Sequence, residues 1–300
     1  MTTNLQKQMA VVDENACIPY AVFRDFYVPV HNTFFEQAAD YNPKTGDIFI
    51  VSYPKCGTTW MQHIVYLLHN GGKPAKDHGQ IVSEIPFVEQ DGFRNGDGRY
   101  LALKYHLPFR LMPYSSKAKY IYIARNPKDA CVSYYHFLKP LPRYHIKSFD
   151  EFFESFLSGQ IPYGHIIDHV QEWYEKRNLP NVLFTTYESL SNKREETILN
   201  VAKFLGLHNL PENIVQDVVN HSSFKFMKNL VDGDFMKQYL RSSTGYNCNE
   251  NRCLSSDAEP RMMRKGITGD WKNYFSEEQS KRMDECIQAR GAKLIKIWGN

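Results

Sequence analysis

The sequence predicts a single α/β domain over residues 1–300, in which helices cover both faces of a doubly wound parallel sheet. Short runs of β-branched and aromatic residues alternate with amphipathic segments of helical period. The first of these runs, Ile48 to Val51, is apolar throughout, as in parallel strands that are covered on both faces. With 42% hydrophobic and 23% charged residues, the composition is that of a folded chain. Because each parallel crossover needs a covering helix, this alternation favours one sheet and one core.

The segment Asp47 to His69 is the first strand and helix of this pattern. Ile48 to Val51 form a buried strand that ends at Pro54. Apolar residues then recur at helical spacing as far as Leu68, and Asn70 with two glycines ends the helix. The turn between strand and helix therefore exposes the first backbone amides of a helix, which bind anions well.

Four residues at this turn have the chemistry of a phosphate site. Gly57 allows close approach of the backbone, Thr58 and Thr59 supply hydroxyl donors, and Lys55 supplies a charge. The nucleotide-binding P-loop pattern is not matched, because Lys55 precedes the glycine instead of following it. No acidic strand end is evident to hold magnesium, so we expect a phosphate site without a metal.

The rest of the chain continues the alternation. An aromatic-rich segment, 20–41, is expected to pack over the sheet, so that residues 1–40 form an N-terminal segment on the core. Residues 71–98 are expected to be irregular and to form a wall or lid of the substrate site. Further strands are predicted at Tyr100–Lys104, Lys119–Ala124 and Val182–Thr186. Helices are predicted within 149–174, from Ile198 to Leu205, from Pro211 to Asn220, and from the capping box at Ser276 toward Ala289.

Three cationic or titratable residues follow predicted strands. Lys55, His106 and Arg125 each come just after a strand, and ligands of open α/β sheets bind at the carboxyl ends of the strands. We therefore expect them on one edge of the sheet. Residues 229–260 lose periodicity and are expected to be a mobile loop, followed by the basic patch Arg264 to Gly266.

Composition narrows the classes of partner. A net charge of +3 and a pI near 8.4 are too mild to indicate nucleic acid, so a small anionic ligand is expected. The N-terminus has no leader pattern and no apolar run is long enough to span a membrane, which favours a cytoplasmic protein. Six scattered cysteines are expected to be reduced, and no metal site is expected. His165 and His169 are expected at the surface.

Six motifs in order then identify a family: the chain resembles the cytosolic sulfotransferases, which use 3′-phosphoadenosine 5′-phosphosulfate (PAPS). YPKCGTTW resembles the family's 5′-phosphosulfate loop, IARNPKDACVSYYHF its 3′-phosphate segment, and MRKGITGDWK its C-terminal signature. LKYHLP, TTYESL and HSSFKFM lie between these in the family's order. The resemblance implies a P-loop-like phosphosulfate-binding loop and a sulfotransferase that needs no metal.

The resemblance also implies roles for individual residues. The 5′-phosphate and the bridging oxygen would be bound by Lys55, Gly57, Thr58 and Thr59. The 3′-phosphate would be held by Arg125, Ser133, Arg264, Lys265 and Gly266. Adenine would stack on Trp60, in a pocket completed by Tyr187, Ser222 and Phe224. A donor with two separated phosphate groups needs two cationic sites, and the sequence offers two.

For the chemistry, the resemblance assigns His106 as the general base on the acceptor, with Lys55 and Lys104 stabilising the developing charge. The acceptor is expected to be a small phenol, catecholamine or sterol-like alcohol, or an amine, with Phe23 and Phe87 lining its pocket. The runner-up hypothesis is a module that binds PAPS or its product without turnover, with Tyr105 or the mobile segment blocking acceptor entry. A metal-dependent nucleoside kinase is the other enzyme considered.

Two departures from the family pattern bear on the pocket. Tyr105 stands where the family usually has a small hydroxyl residue, and Met262 replaces an aromatic residue beside the basic patch. The family's dimer motif is degraded after Trp271, so the sequence leaves monomer and homodimer both open.

Overall fold

The structure is a computed structural model that describes residues 17–30, 34–93, 99–141, 143–232 and 262–298. Its strands are β1 (Tyr20–Phe23), β2 (Phe26–Pro29), β3 (Ile48–Ser52), β4 (Leu103–Tyr105), β5 (Lys119–Ala124) and β6 (Val182–Thr186). Its first five helices are α1 (Phe35–Ala39), α2 (Thr58–His69), α3 (His78–Glu84), α4 (Val88–Asp91) and α5 (Pro127–Leu138). The later helices are α6 (Phe149–Ser158), α7 (Ile166–Glu175), α8 (Tyr187–Asn192), α9 (Arg194–Leu205), α10 (Glu212–His221), α11 (residues 224–232) and α12 (Glu277–Gly291).

The main sheet has the order β4-β3-β5-β6, and every neighbouring pair is parallel. The chain goes from β3 to β4 on one side and then crosses to β5 on the other side of β3. The carboxyl end of β3 is therefore the topological switch point, where the crevice of such sheets lies. The predicted α/β domain with a parallel sheet is confirmed.

Both faces of the sheet are covered, as the apolar strands predicted. Successive residues of a strand point to opposite faces. Phe49 and Val51 of β3 pack with Phe152 and Trp173 of α6 and α7, whereas Ile50 packs with the apolar side of α2 and α9. Burial of these residues is complete, which leaves the sheet no solvated face.

Several segments differ from their prediction. Residues 71–98 are not simply irregular, because α3 and α4 lie within them. The strand expected from Tyr100 begins at Leu103, and the helical stretch 149–174 is two helices. Residues 229–232 are helical, while the rest of the predicted 229–260 loop lies outside the described residues.

The N-terminal part contains a hairpin that the sequence did not predict. Strands β1 and β2 pair antiparallel, and Arg24 and Asp25 between them both have positive φ, as two-residue hairpin turns require. Phe26 and Phe35 are buried in the core beside the sheet. In the described residues, no helix has both the length and the apolar character needed to cross a bilayer.

The C-terminal signature is fastened to the N-terminus of α5. The Asp129 carboxylate, which is 3% exposed, accepts the backbone N–H groups of Gly269 at 2.7 Å and Trp271 at 3.0 Å. Lys128 donates to Ser280 at 2.8 Å. These bonds join segments that lie about half the chain apart and bring the basic patch to the sheet edge.

Replacement of Asp129 tests this attachment. Asp129→Ala leaves two backbone N–H groups without an acceptor, so we expect the free energy of unfolding to fall by about 1–3 kcal/mol. Asp129→Asn keeps one acceptor oxygen and should lose less. Urea unfolding of both variants and the parent measures the effect; equal stability of Asp129→Ala and the parent would contradict the assignment.

Candidate active site

A cleft of about 510 Å³ opens at the carboxyl edge of the sheet, around the switch point. It brings together most of the residues that the sequence singled out. They are Lys55, Gly57, Thr58, Thr59, Trp60, Phe87, Lys104, His106, Arg125, Ser133, Tyr187, Phe224, Arg264, Lys265 and Gly266. Residues from seven separate parts of the chain thus share one cavity.

The turn after β3 is built as predicted. Gly57 caps α2 with φ +105, and a Cβ atom there would stand 3.0 Å from the Tyr187 ring. Only glycine combines this backbone conformation with so close a neighbour. Thr58 shares a 2.6 Å hydrogen bond with Ser52. The free amides at the start of α2 therefore face the cleft, where an anion can reach them.

The Lys55 ammonium belongs to a partly buried side chain in a tight environment. It lies 4.1 Å from the centroid of the Phe137 ring and 3.4 Å from both the carbonyl oxygen and Sδ of Met262. Burial, followed by the charges of Lys104 and Arg125, lowers the pKa of Lys55 to about 7. An anionic ligand would reverse this effect, since it favours the protonated form.

The second cationic group surrounds Arg125. Its guanidinium lies 4.0 Å from the centroid of Tyr187 and donates to the carbonyl of Lys55 at 3.0 Å. Nε of Arg125 and Nε of Arg264 are buried donors without a partner among the described residues. Buried unpaired donors are costly, so this pair suits a bound anion with several acceptor oxygens.

Asp270 holds the basic patch in place. Arg264 and Lys265 both donate to this carboxylate, which is 2% exposed. Burial alone would raise the pKa of Asp270, but hydrogen bonds from Lys265, Asn273 and Arg264 lower it to about 2. The patch therefore stays oriented by a permanent negative charge at neutral pH.

An aromatic pocket lines the cleft beside Arg125. The rings of Trp60 and Tyr187 meet edge to face with centroids 5.3 Å apart, and Arg194 lies 5.4 Å from the Trp60 ring. Gly266 has φ +68, and a Cβ there would approach Phe224 to 2.1 Å, so the Phe224 ring lies directly on the backbone. This arrangement has the shape and stacking surfaces for a purine.

His106 has a defined tautomer. Its Nδ1 lies 2.6 Å from the carbonyl oxygen of Ser52, which can only accept, so Nδ1 carries the proton and Nε2 is the basic nitrogen. Burial and the nearby Lys104 hold the pKa of His106 well below its usual value. The ring lies between Phe87 and Tyr163, with centroids 4.9 Å and 5.3 Å away.

Lys104 stands beside this histidine at the end of β4. Its ammonium is 4.6 Å from the Phe87 centroid, and the residue is 9% exposed. Burial lowers the pKa of Lys104 to about 8, while Asp91 and Glu89 act in the opposite sense. The cleft therefore contains two lysines that are easily deprotonated and one neutral imidazole.

Four predictions about individual residues need correction. Phe23 does not line the cleft but packs against Phe35 in the core. Ser222 is buried and its hydroxyl donates to the carbonyl of Val219, away from the cleft lining. Tyr105 is buried and donates to the carbonyl of Ala38, so it does not block the cleft.

His169 is likewise not a surface residue. It is 2% exposed, lies 2.9 Å from the hydroxyl of Tyr122, and donates from Nε2 to the carbonyl of His106 at 3.0 Å. Glu89, Asp129, Asp270 and Arg194 are neighbours of the site that the sequence did not indicate. Asp129 and Asp270 lie inside two of the motifs, IARNPKDACVSYYHF and MRKGITGDWK, and this position was their only signal, whereas Glu89 and Arg194 lie outside the six motifs.

Metal ligands do not cluster in the part of the chain that the structure describes. Cys56 and Cys131 are buried free thiols, and Cys17 and Cys286 are partly buried and also free. Cys248 and Cys253 lie outside the described residues.

The cleft has the features of a group-transfer enzyme whose donor carries two anionic groups. It combines an anion loop at the start of a helix, a second cationic group and a neutral histidine at the edge of a parallel sheet.

Comparisons with known proteins agree. A model of the sulfotransferase domain family matches residues 45–297. The chain is 35% identical over 265 residues to mouse sulfotransferase 1E1, over 84% of this chain and 85% of that protein. It is 38% identical over 255 residues to rat sulfotransferase 1A1, over 79% and 82% of the two chains.

Solved structures show the same fold. Mouse sulfotransferase SULT7A1, complexed with PAP, superposes with a TM-score of 0.68 at 25% identity, over 90% of this chain and 93% of that one. A retinol dehydratase complex with androsterone and PAP gives a TM-score of 0.71 at 22% identity, over 91% of this chain and 88% of that one. This chain belongs to the sulfotransferase family. The predicted PAPS-dependent sulfotransferase is thereby confirmed.

Gly266 offers a test of the aromatic pocket. Gly266→Ala forces Phe224 to move, so we expect affinity for adenosine 3′,5′-bisphosphate (PAP) to fall by roughly tenfold or more, or about 1.4 kcal/mol. Gly269→Ala is the matched control, because Gly269 has a similar φ of +82 but nothing within 4 Å of a Cβ. It should lose about 1–2 kcal/mol of stability and keep its PAP affinity, as measured by calorimetry.

The low pKa of Lys55 predicts how PAP affinity depends on pH. Above pH 7 the free protein loses the Lys55 proton, whereas the bound phosphate favours the protonated form, so binding takes up a proton. Affinity should therefore fall as pH rises from 7 to 9, by up to about tenfold per pH unit.

Lys55→Met should flatten this slope. Lys281→Met, at a side chain that is 70% exposed on α12, should not. Calorimetric titration in buffers of different ionisation enthalpy counts the protons. An unchanged slope in Lys55→Met would contradict the assignment.

Proposed function

We propose that the cleft holds PAPS across its two cationic groups and transfers its sulfuryl group to a small acceptor. In this proposal the 5′-phosphosulfate contacts Lys55 and the amides of Thr58 and Thr59, with Gly57 giving room for the backbone to approach. The 3′-phosphate contacts Arg125, Ser133 and the patch Arg264 to Gly266. The buried, unpartnered Nε atoms of Arg125 and Arg264 support this, since a phosphate supplies the acceptors that they lack.

Adenine would lie in the pocket formed by Trp60, Tyr187 and Phe224. Base and aromatic ring stack by offset or edge contacts, and Arg194 adds a cation at the Trp60 face. Ser222 is then a residue that supports the Phe224 segment rather than one that touches the base.

The observation that carries the mechanism is the tautomer of His106. With Nδ1 committed to the Ser52 carbonyl, Nε2 can take the proton of an acceptor hydroxyl while the acceptor oxygen attacks sulfur. The new S–O bond forms as the bond from sulfur to the 5′-phosphate oxygen breaks, and PAP leaves with that electron pair. Lys55 stabilises charge on the leaving oxygen, and Lys104 on the transferring sulfuryl group.

The acceptor is proposed to be a phenol, a catecholamine or a sterol-like alcohol, because the part of the cleft around His106 is mainly aromatic. Phe87 and Tyr163 flank the imidazole, and Phe137 and Tyr144 also line the cavity. A small apolar molecule with one hydroxyl suits such walls. The buried free thiols fit action in the cytoplasm.

Replacement of His106 tests the mechanism. His106→Ala removes the base, so we expect kcat for sulfation of a phenol to fall by about 10²–10⁴-fold, with PAP affinity retained. The matched control is His208→Ala, at an exposed histidine outside the cleft. Transfer is followed with labelled PAPS and a panel of acceptors. Undiminished transfer by His106→Ala would show that the assigned base is wrong.

A further inference from the structure

Glu89 is a carboxyl group buried behind the proposed base. It lies on α4, is 0% exposed, and accepts the backbone N–H of His106 at 2.6 Å through Oε1. Its other oxygen, Oε2, is buried and has no partner among the described residues. Burial raises the pKa of Glu89 to about 8. A buried, half-satisfied carboxyl is costly, so the site keeps it for a reason other than stability.

The Glu89 carboxyl is one of three groups that fix the position of His106. His106 is fixed at three points: the Ser52 carbonyl holds Nδ1, Glu89 holds the backbone N–H, and His169 holds the backbone carbonyl. The first bond sets the tautomer, and the other two set where the backbone stands. The same short segment carries Lys104, which also bonds through its own N–H to the carbonyl of Pro86 at 2.9 Å.

Glu89 also joins the two walls of the acceptor site. It lies two residues after Phe87, whose ring contacts both the imidazole of His106 and the ammonium of Lys104. The bond from His106 to Glu89 therefore ties the Phe87 segment to the end of β4. Loss of this bond would let the base and its aromatic wall move apart.

We propose that Glu89 is a positioning residue for sulfuryl transfer: its carboxyl fixes the end of β4, so that Nε2 of His106 and Nζ of Lys104 stand correctly at the reacting sulfur. The inference rests on the proposed role of His106. Displacement of a reacting group by about 1 Å through a residue that does not touch the substrate can cost about 10²-fold in rate. The effect belongs to kcat, because Glu89 touches neither phosphate group.

Glu188 provides a matched contrast. It accepts the backbone N–H of Asn126 at 2.9 Å, and its Oε2 is also buried and without a partner among the described residues. It thus holds the end of β5 as Glu89 holds the end of β4. The neighbouring residue there is Arg125, which we assign to the donor phosphate. Removal of the Glu188 carboxyl should therefore weaken donor binding and leave the chemical step largely intact.

The experiment compares Glu89→Met, Glu89→Gln and Glu188→Met in the full chain. Met has nearly the same length without a hydrogen-bond acceptor, whereas Gln keeps one acceptor oxygen for the His106 N–H. We expect Glu89→Met to lose about 10²-fold in kcat, with acceptor KM and PAP affinity within about twofold of the parent. Glu89→Gln should recover most of that loss. Glu188→Met should instead weaken PAP binding.

PAP affinity, measured by calorimetry, also reports whether the Glu89 variants are folded, and urea unfolding reports it for Glu188→Met. If Glu89→Met does not bind PAP, Glu89→Asp replaces it, since the shorter carboxylate cannot reach the N–H at the same distance. A loss of kcat in that variant supports the proposal, and parental kcat overturns it.

Two outcomes separate this inference from the proposed function. If His106→Ala abolishes transfer while Glu89→Met keeps parental kcat, the positioning role is wrong and the base stands. If Glu89→Gln is as slow as Glu89→Met, the hydrogen bond is not the cause and the proposal is overturned. If His106→Ala transfers normally, both proposals fail.

Discussion

The burial of cationic side chains at the carboxyl edge of the sheet is the constraint on which the rest of the site depends, and at Lys55 the repulsion between cations adds to it. Burial and the charges of Lys104, Arg125 and Arg264 lower the pKa of Lys55, and burial lowers that of Lys104. Opposite charges at close range restore the protonated forms. In the proposed mechanism, a donor with two anionic groups therefore does more than occupy the cleft, since its charge would keep Lys55 and Lys104 protonated and able to stabilise the developing charge.

Three carboxyl groups hold the segments of this cationic edge in place. Asp129 fastens the C-terminal signature to α5, Asp270 orients Arg264 and Lys265, and Glu89 holds the end of β4. Asp129 acts on a segment remote in sequence, whereas Asp270 acts on residues of its own loop. Binding residues carried by separate strands and loops can be aligned to a fraction of an ångström only if such bonds fix their backbones.

The two departures from the family pattern have different consequences. Tyr105 points away from the cleft, and its hydroxyl donates to the carbonyl of Ala38 in α1. The larger side chain therefore packs in the N-terminal part of the core. Met262 lies in the cleft with Sδ 3.4 Å from the Lys55 ammonium. Of the two substitutions, it is the one that alters the surroundings of a proposed catalytic group.

The sequence by itself determined the parallel α/β class, the strands β3, β5 and β6, the anion loop and the family, because these depend on local periodicity and on short motifs. Only the tertiary structure decided that Phe23, Ser222 and Tyr105 leave the cleft and that His169 is buried. The periodicity of a strand or helix shows which of its side chains are buried, but not whether they lie in the core or line a cavity. The roles of Glu89 and Asp129 were hidden for a related reason: each bonds to backbone N–H groups, which every residue has, so the partner leaves no mark in the sequence.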